Sequence, residues 1–313
     1  MIFYDNIRFG TMQYSLLTCV HLGTVQAAQV RRQQRRAYMK DLIRLTDLQA
    51  SEIYKIFHIA DEISAGKYKG FLNGKTVVLF FPASSIRTRV TFEKGVHMLG
   101  GQPILFPGDA LEKKEDIRDV CGYLDNWADI AVVRYRDIAL IERIAGYLHA
   151  PVINAMSDVN HPCEILSDLY SLSKLREDFT RDHYLFCGRA GNIGLAWKEA
   201  SQVLGFPLSQ CCGAGHEMEG VEVYHDINTA VKGKDILCTD SLPAGALQDF
   251  RDCQVTTEIM KTANKNAVLN PCPPFYRGEE VSEEVMESEY FVGYGFKKNL
   301  LTVQQAVMIW CLA

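Results

Sequence analysis

From Met39 onward the chain alternates short apolar runs with stretches of helical apolar spacing, and this alternation constrains the fold more than any other feature. The run Thr76-Val77-Val78-Leu79-Phe80-Phe81 precedes a helical pattern over 88–99, which Gly100-Gly101 closes. The pairing recurs as strand 103–106 with helix 115–126 and as strand 130–133 with helix 138–148. Strand 151–154 is then followed by a helix that opens at Pro162 and runs to about Lys174. Proline suits the first turn of a helix, where no N–H partner is needed. Strands that are apolar throughout are buried on both faces, and an intervening helix makes consecutive strands parallel. Ahead of them, Thr46-x-x-Gln49 reads as a capping box. Ile53, Ile56, Phe57, Ala60 and Ile63 follow it at helical spacing until Gly66.

The polar stretch from Lys174 to Asp182 reads as the passage into a second half. Strand 184–187 leads there into Gly188-Arg189-Ala190-Gly191-Asn192-Ile193-Gly194 and a helix that ends at Gly205. Further strands are predicted near 207–211, 235–238 and 267–270, and a last amphipathic helix over 300–312. The expected fold is α/β: two doubly wound parallel-sheet domains with an interdomain cleft and a C-terminal helix packing back on the first domain. Its boundaries read as 39–174 and 175–313. Residues 1–38 stand apart, with five arginines against one acid, Asp5, and no steady apolar period. They read as a flexible extension or as sequence upstream of a start at Met39, with a targeting segment as the alternative. No function is assigned to them.

Composition excludes several classes. A net charge of −5 carries no nucleic-acid signature, and no apolar run approaches the roughly 18 residues of a membrane span. The ten cysteines are scattered, with no Cys-x-x-Cys pair, which fits neither a zinc site nor a disulfide framework and suggests a reducing cytoplasm. No metal and no cofactor is expected.

In open parallel sheets ligands bind at the carboxyl ends of strands. Ser84-Ser85-Ile86-Arg87-Thr88-Arg89 follows strand 76–81 at the start of a helix. Free N–H groups there, with hydroxyls and guanidinium forks, can cradle a phosphate. Alone, the segment reads equally well as a capped helix with solvated arginines. Arg134 after strand 130–133 and His161 after strand 151–154 break the tie, because they bring further polar groups to the same edge. In the second half Asp240 follows one strand, while Cys272 and Arg277 follow another. The expected result is a cleft with a cationic wall, suited to a small phosphate-bearing substrate.

These residues carry a resemblance. Ser85-Ile86-Arg87-Thr88-Arg89 with Phe92-Glu93 is similar to the Ser-Thr-Arg-Thr-Arg and Phe-Glu signature of the aspartate/ornithine carbamoyltransferases. His161-Pro162-Cys163-Glu164-Ile165-Leu166-Ser167-Asp168-Leu169 resembles that family's His-Pro-x-Gln-x-Leu-x-Asp-Leu. Cys272-Pro273-Pro274-Phe275-Tyr276-Arg277-Gly278-Glu279-Glu280-Val281 resembles the ornithine branch's Cys-Leu-Pro-x-x-Arg-Gly-Glu-Glu-Val.

The resemblance implies carbamoyl transfer from carbamoyl phosphate to an ornithine-like amine. Ser84, Ser85, Ile86, Arg87 and Thr88 would form the phosphate cradle. Arg134 and His161 would polarise the carbamoyl oxygen, with Glu164 beside the carbamoyl amide. Arg277 and the Cys272 carbonyl would hold the carbamoyl end. The resemblance also implies a homotrimer with shared active sites, Lys113 being the cation lent to a neighbour. Asp240, with Ser241 and Leu242, and Asn192 would meet the amine substrate.

Departures from the pattern bear on specificity. Ile86 replaces a threonine, Glu164 stands in place of Gln, and Pro271 in place of His. Thr239-Asp240-Ser241-Leu242-Pro243-Ala244-Gly245 lacks the Ser-Met-Gly that closes over ornithine. Two other readings follow from particular residues. Glu164 and Ile86 would suit a binding or regulatory relative without turnover. Gly188-x-x-Gly191-x-x-Gly194 after a strand would suit a nicotinamide dehydrogenase, although its spacing is not Gly-x-Gly-x-x-Gly.

Overall fold

The computed structural model describes residues 39–313. The readings made for residues 1–38 lie outside the described residues. A short 3₁₀ turn at Leu45–Asp47 precedes α1 (Ala50–Ser64). The capping box falls one turn later than the sequence suggested: Gln49, in extended backbone, is the N-cap, and its N–H donates to the Glu52 carboxylate at 3.1 Å. Asp47 fills the place at the head of the earlier turn, accepting from the Arg44 N–H at 2.9 Å.

The first sheet has order β2-β1-β3-β4, all parallel: β1 (Thr76–Phe81), β2 (Gln102–Pro107), β3 (Ile130–Arg134) and β4 (Val152–Met156). Between and after the strands lie α2 (Arg87–Met98), α3 (Ile117–Leu124), α4 (Ile138–Tyr147) and α5 (Pro162–Leu175). Alternation along β1 explains its apolar sequence. Val77, Leu79 and Phe81 join a core shared with α1, α2 and α5, while Val78 and Phe80 join another with Ile117, Ile141 and Ile144. Successive side chains point to opposite faces, so a strand covered on both sides has no polar position to spare.

The second sheet has order β7-β6-β5-β8-β9, again all parallel. Its strands are β5 (Tyr184–Cys187), β6 (Leu208–Cys211), β7 (Glu222–Tyr224), β8 (Ile236–Thr239) and β9 (Val268–Pro271). Helix α6 (Asn192–Leu204) follows β5 and stops at Gly205, whose φ of 79° is the left-handed cap conformation. Two short helices, α7 (Ile227–Ala230) and α8 (Thr257–Thr262), and the edge strand β7 were not legible in the sequence. The architecture is the α/β one expected, with two parallel sheets.

The last helix, α9 (Asn299–Leu312), differs from the prediction in character. It is not amphipathic: Leu300 and every residue from Val303 to Cys311 are buried. The helix packs among α1, α2 and α5 of the first half. Gln305 donates to the Gly95 carbonyl at 3.1 Å, and the Lys40 N–H donates to the Cys311 carbonyl at 3.1 Å. A helix surrounded by other elements is apolar all round. The core reaching α9 also takes in Tyr184, Phe186 and Trp197 of the second half, so it runs through both sheets.

Candidate active site

The loop after β1 and the end of β3 meet at the carboxyl edge of the first sheet. Ser85 and Thr88 are buried, while Ser84, Ile86 and Arg87 are exposed. Helix α2 begins at Arg87 behind Ile86, and no side chain caps it. Its first N–H groups are therefore left for an external anion. The Arg134 guanidinium crosses from the neighbouring strand and donates to Ser85 Oγ at 3.0 Å and Thr88 Oγ1 at 3.4 Å. The β3–β4 register shifts between Val133 and Arg134; such an irregularity re-aims a strand-end side chain. Burial, and then the neighbouring Arg87, lower the Arg134 pKa from its ordinary value. Arginine nonetheless remains a cation.

His161 caps α5 on the loop after β4. The turn carrying it is fixed by buried amides. Asn154 Nδ2 donates to Asn160 Oδ1 at 2.6 Å, Ser157 Oγ donates to the same oxygen at 3.1 Å, and Asn160 Nδ2 reaches the Ile43 carbonyl at 3.2 Å. The imidazole is 5% exposed, and its Nδ1 has no partner among the described residues. Burial pushes its pKa down to about 4. It is neutral at pH 7, with one ring nitrogen available as a donor.

One helical turn further, Glu164 is buried and accepts from Lys297 Nζ at 3.0 Å. The same ammonium donates to both oxygens of Asp168, at 2.6 and 2.7 Å, and Asn270 Nδ2 donates to Asp168 at 2.8 Å. Two carboxylates around Lys297 hold its pKa above the usual lysine value against the effect of burial. Burial pushes Asp168 up to about 6. Lys297 lies on the 3₁₀ turn Tyr294–Lys298, and Asn270 on β9, so this buried cluster ties α5 to both segments.

On the facing wall, Asn192 opens α6 and donates to the Ser157 carbonyl at 3.0 Å, linking the two halves beside His161. Glu199 adds a second link, accepting from the Leu45 N–H at 2.8 Å and from Asn160 at 3.4 Å. Asp240 follows β8 half-buried and accepts from the Ser241 N–H at 2.9 Å; burial pushes its pKa up to about 6. Leu242 packs against the second-half core. The loop after Asp240 is anchored at its far end, where a Cβ on Gly213 would lie 2.3 Å from the Asp249 carbonyl oxygen.

Cys272 is buried after β9, its N–H bonded to the Thr239 carbonyl at 3.0 Å. The remaining groups stand further out. The Arg277 guanidinium pairs with Glu283 at 3.0 Å and Glu287 at 2.8 Å. Lys113 is exposed after a 3₁₀ turn.

A cavity of about 640 Å³ opens beside Arg134, bordered by Pro82, Gly108, Tyr135 and Asp158. A larger one, about 770 Å³, lies around Arg176, Asp182 and Val268, where β5 and β9 begin. The first is at the carboxyl edge where parallel sheets bind ligands, with Arg134 and Arg136 in its wall beside Asp109, Glu112, Asp137 and Asp158. Among the described residues there is no group of three or more His, Cys, Asp or Glu side chains that could hold a metal, and no helix long and apolar enough to cross a membrane.

Comparison with known proteins now bears on this geometry. Residues 40–174 match the family described as aspartate/ornithine carbamoyltransferase, carbamoyl-P binding domain, and residues 195–311 match its Asp/Orn binding domain. The chain belongs to the aspartate/ornithine carbamoyltransferase family. The ornithine carbamoyltransferase of Halorhodospira halophila is 32% identical over 293 residues, covering 86% of this chain and 98% of its own. Among solved structures, ornithine carbamoyltransferase from Pyrococcus furiosus superposes with a TM-score of 0.81 at 29% identity, over 86% of this chain and 95% of that one. The Thermus thermophilus enzyme gives 0.81 at 25%, over 87% and 99%.

Membership in this family recasts the glycine-rich turn. A Cβ on Gly194 would lie 2.6 Å from the Phe186 ring and 3.0 Å from the Arg189 carbonyl, so this glycine is required for close packing of α6 on β5. Lys297 has no local signal, because Lys297-Lys298 reads as a solvated pair. The available signal was Glu164, a carboxylate in a family position of Gln, which calls for a buried cation nearby.

Proposed function

We propose that this carbamoyltransferase moves the carbamoyl group of carbamoyl phosphate to the amine of an ornithine-like amino acid and releases phosphate. The observation that carries this reading is the bridge from Arg134 to Ser85 and Thr88 across the uncapped start of α2. Helix N–H groups, hydroxyls and Arg87 hold the phosphate, and Ser84 and the Ile86 N–H complete the cradle. Arg134, His161 and Thr88 donate to the carbamoyl oxygen. The neutral amine attacks the carbamoyl carbon, a C–N bond forms, and the three donors hold the oxyanion. The C–O bond to phosphate then breaks, and the leaving phosphate takes up the proton shed by nitrogen. The Cys272 carbonyl accepts from the carbamoyl NH₂. Arg277 joins only when its pairs with Glu283 and Glu287 open.

Residues 39–174 act in this reading as the donor domain and 175–313 as the acceptor domain. Asn192, Asp240, Ser241 and Leu242 form the acceptor wall. The exposed apolar side chains of Ile86, just before α2, and of Val90 and Met98 on it support a homotrimer that buries them and brings Lys113 to a neighbouring site. Among the described residues the nine cysteines are free and buried, which suits a reducing cytoplasm.

A phosphate-release assay with carbamoyl phosphate and a panel of amines (ornithine, acylated ornithines, putrescine, aspartate, diaminopropionate and lysine) tests the reading. An ornithine-like amine is expected to accelerate release, and Arg87→Ala to abolish saturable carbamoyl phosphate binding. Release unaffected by every amine, with binding retained in Arg87→Ala, would sink it. Binding without turnover would identify a regulatory relative instead.

Asp240 gives the acceptor side a pH signature. With its pKa raised to about 6 by burial, the carboxylate can accept from the incoming amine above that pH and loses this capacity as pH falls through it. Asp240→Asn is expected to lower kcat/KM for the acceptor about 10- to 100-fold at pH 8, the value of a charge-assisted bond. The gap between parent and variant should narrow below pH 6. A gap constant from pH 5 to 8 would show that Asp240 does not meet the amine.

A further inference from the structure

Glu164 poses an electrostatic problem that Lys297 resolves. Its carboxylate is 6% exposed, one turn from His161 on α5, and its charge acts on Arg134, His161, Cys272 and Asp240 alike. It therefore sits centrally among the groups assigned to the reaction. An unpaired carboxylate at such depth is costly, and a phosphate dianion beside it would raise the cost. Lys297 Nζ donates to Glu164 Oε1 at 3.0 Å, and Oε2 lies outside that bond. Carbamoyl phosphate carries one hydrogen-bond donor group, its NH₂, and a carboxylate can only accept.

Lys297 itself is not placed to bind the ligand. An ammonium has three N–H donors. Those of Lys297 meet three carboxylate oxygens: Asp168 Oδ1 at 2.6 Å, Asp168 Oδ2 at 2.7 Å and Glu164 Oε1 at 3.0 Å. Its effect on the substrate must pass through the carboxylates.

Resting on the carbamoyl-phosphate reading above, we infer that Lys297 is a positioning residue, whose buried ammonium holds Glu164 ionised and oriented so that Oε2 accepts from the carbamoyl NH₂. Glu164 and Lys297 thus form a matched pair. A chain with Glu at this position needs the lysine, and a chain with an uncharged amide there does not.

The test is a double-mutant cycle read by carbamoyl phosphate KM and kcat. Lys297→Met alone is expected to raise the KM for carbamoyl phosphate about 30-fold or more, the usual result of leaving a buried charge unpaired, with a smaller effect on kcat. In a Glu164→Gln background, where only Asp168 loses a partner, the same substitution should raise KM much less, the two effects differing by more than the roughly threefold within which independent effects agree. Asp168 loses Lys297 in both backgrounds, so its contribution cancels in the comparison. Lys297→Arg, which keeps the charge, should recover most of the loss.

An equal loss in both backgrounds, or no loss in either, overturns the inference. If Lys297→Met does not fold with Glu164 present, folded yield and urea midpoint are compared instead. Restoration by Glu164→Gln supports the pairing, and equal failure in both backgrounds overturns it. Isothermal titration of the parent with carbamoyl phosphate separates the two levels of the argument. No binding refutes the function itself, whereas binding with background-independent Lys297 effects refutes only the pairing.

Discussion

Arg134→Ala is expected to slow carbamoyl transfer by about 100- to 1,000-fold in kcat, the usual cost of losing one donor to a developing oxyanion. The physical basis is position. Arg134 closes the gap between β3 and the β1 loop, donating to Ser85 at 3.0 Å and Thr88 at 3.4 Å. The cation is thus preorganised and needs no reorganisation when charge develops on the carbamoyl oxygen. Because the guanidinium is half-buried and ends a strand, its removal should leave folding nearly intact. Stopped-flow phosphate release together with a urea denaturation curve would separate the two effects. A kcat within tenfold of the parent would remove Arg134 from the transition state.

His161→Gln is expected to lower kcat by about 100-fold and, separately, to change the acid stability of the protein. The buried imidazole has its pKa pushed down to about 4, whereas an unfolded histidine titrates near 6.5. Between these values the unfolded chain binds a proton that the folded protein refuses. Stability that is fully present above pH 6.5 is therefore lost as pH falls toward 4, by roughly 3 kcal/mol for this one group. Asp168 and Asp240, raised to about 6, and Glu280, raised to about 7, act in the opposite sense over an overlapping range. The parent's own profile is consequently a sum. The difference between parent and His161→Gln isolates the imidazole: relative to the variant, the parent should weaken from pH 6.5 to pH 4. Urea midpoints that keep a fixed separation across that range would contradict a buried, neutral His161.

The strands of both sheets were legible because β1, β3, β4, β5, β8 and β9 are buried on both faces and have no polar alternation to confuse them. The edge strand β7, Glu222-Val223-Tyr224, was not, since it is three residues long and only half-buried. Helix α9 is legible in place but not in character: from Leu300 to Cys311 the only polar residues are Thr302, Gln304 and Gln305, and both glutamines are buried. Ser85, Thr88, Arg134 and His161 could be picked out because each follows a readable strand end. Lys297 could not. Its partners Glu164 and Asp168 lie about 130 positions away, and nothing local distinguishes a lysine folded inward from one in water. Long-range charge compensation has no short-range signature. Only the misfit of Glu164 with the family pattern hinted at it.

Gly213 leads in another direction. The loop that begins at Asp240 starts from β8 and is clasped at Asp249 by a backbone contact that admits no side chain on Gly213. Between these two fixed points, Leu242–Gln248 is largely surface, with the buried Ala246 and the half-buried Leu242 as its tethers to the core. The segment, which the proposed reading turns toward the acceptor, is therefore built like an exchangeable cassette. On the proposed reading, substitutions between its anchors are expected to alter which amine is taken while the donor wall stays untouched. Engineering a new acceptor into this scaffold then becomes a graft of about eight residues, provided that Asp240 and the Gly213–Asp249 clasp are left in place.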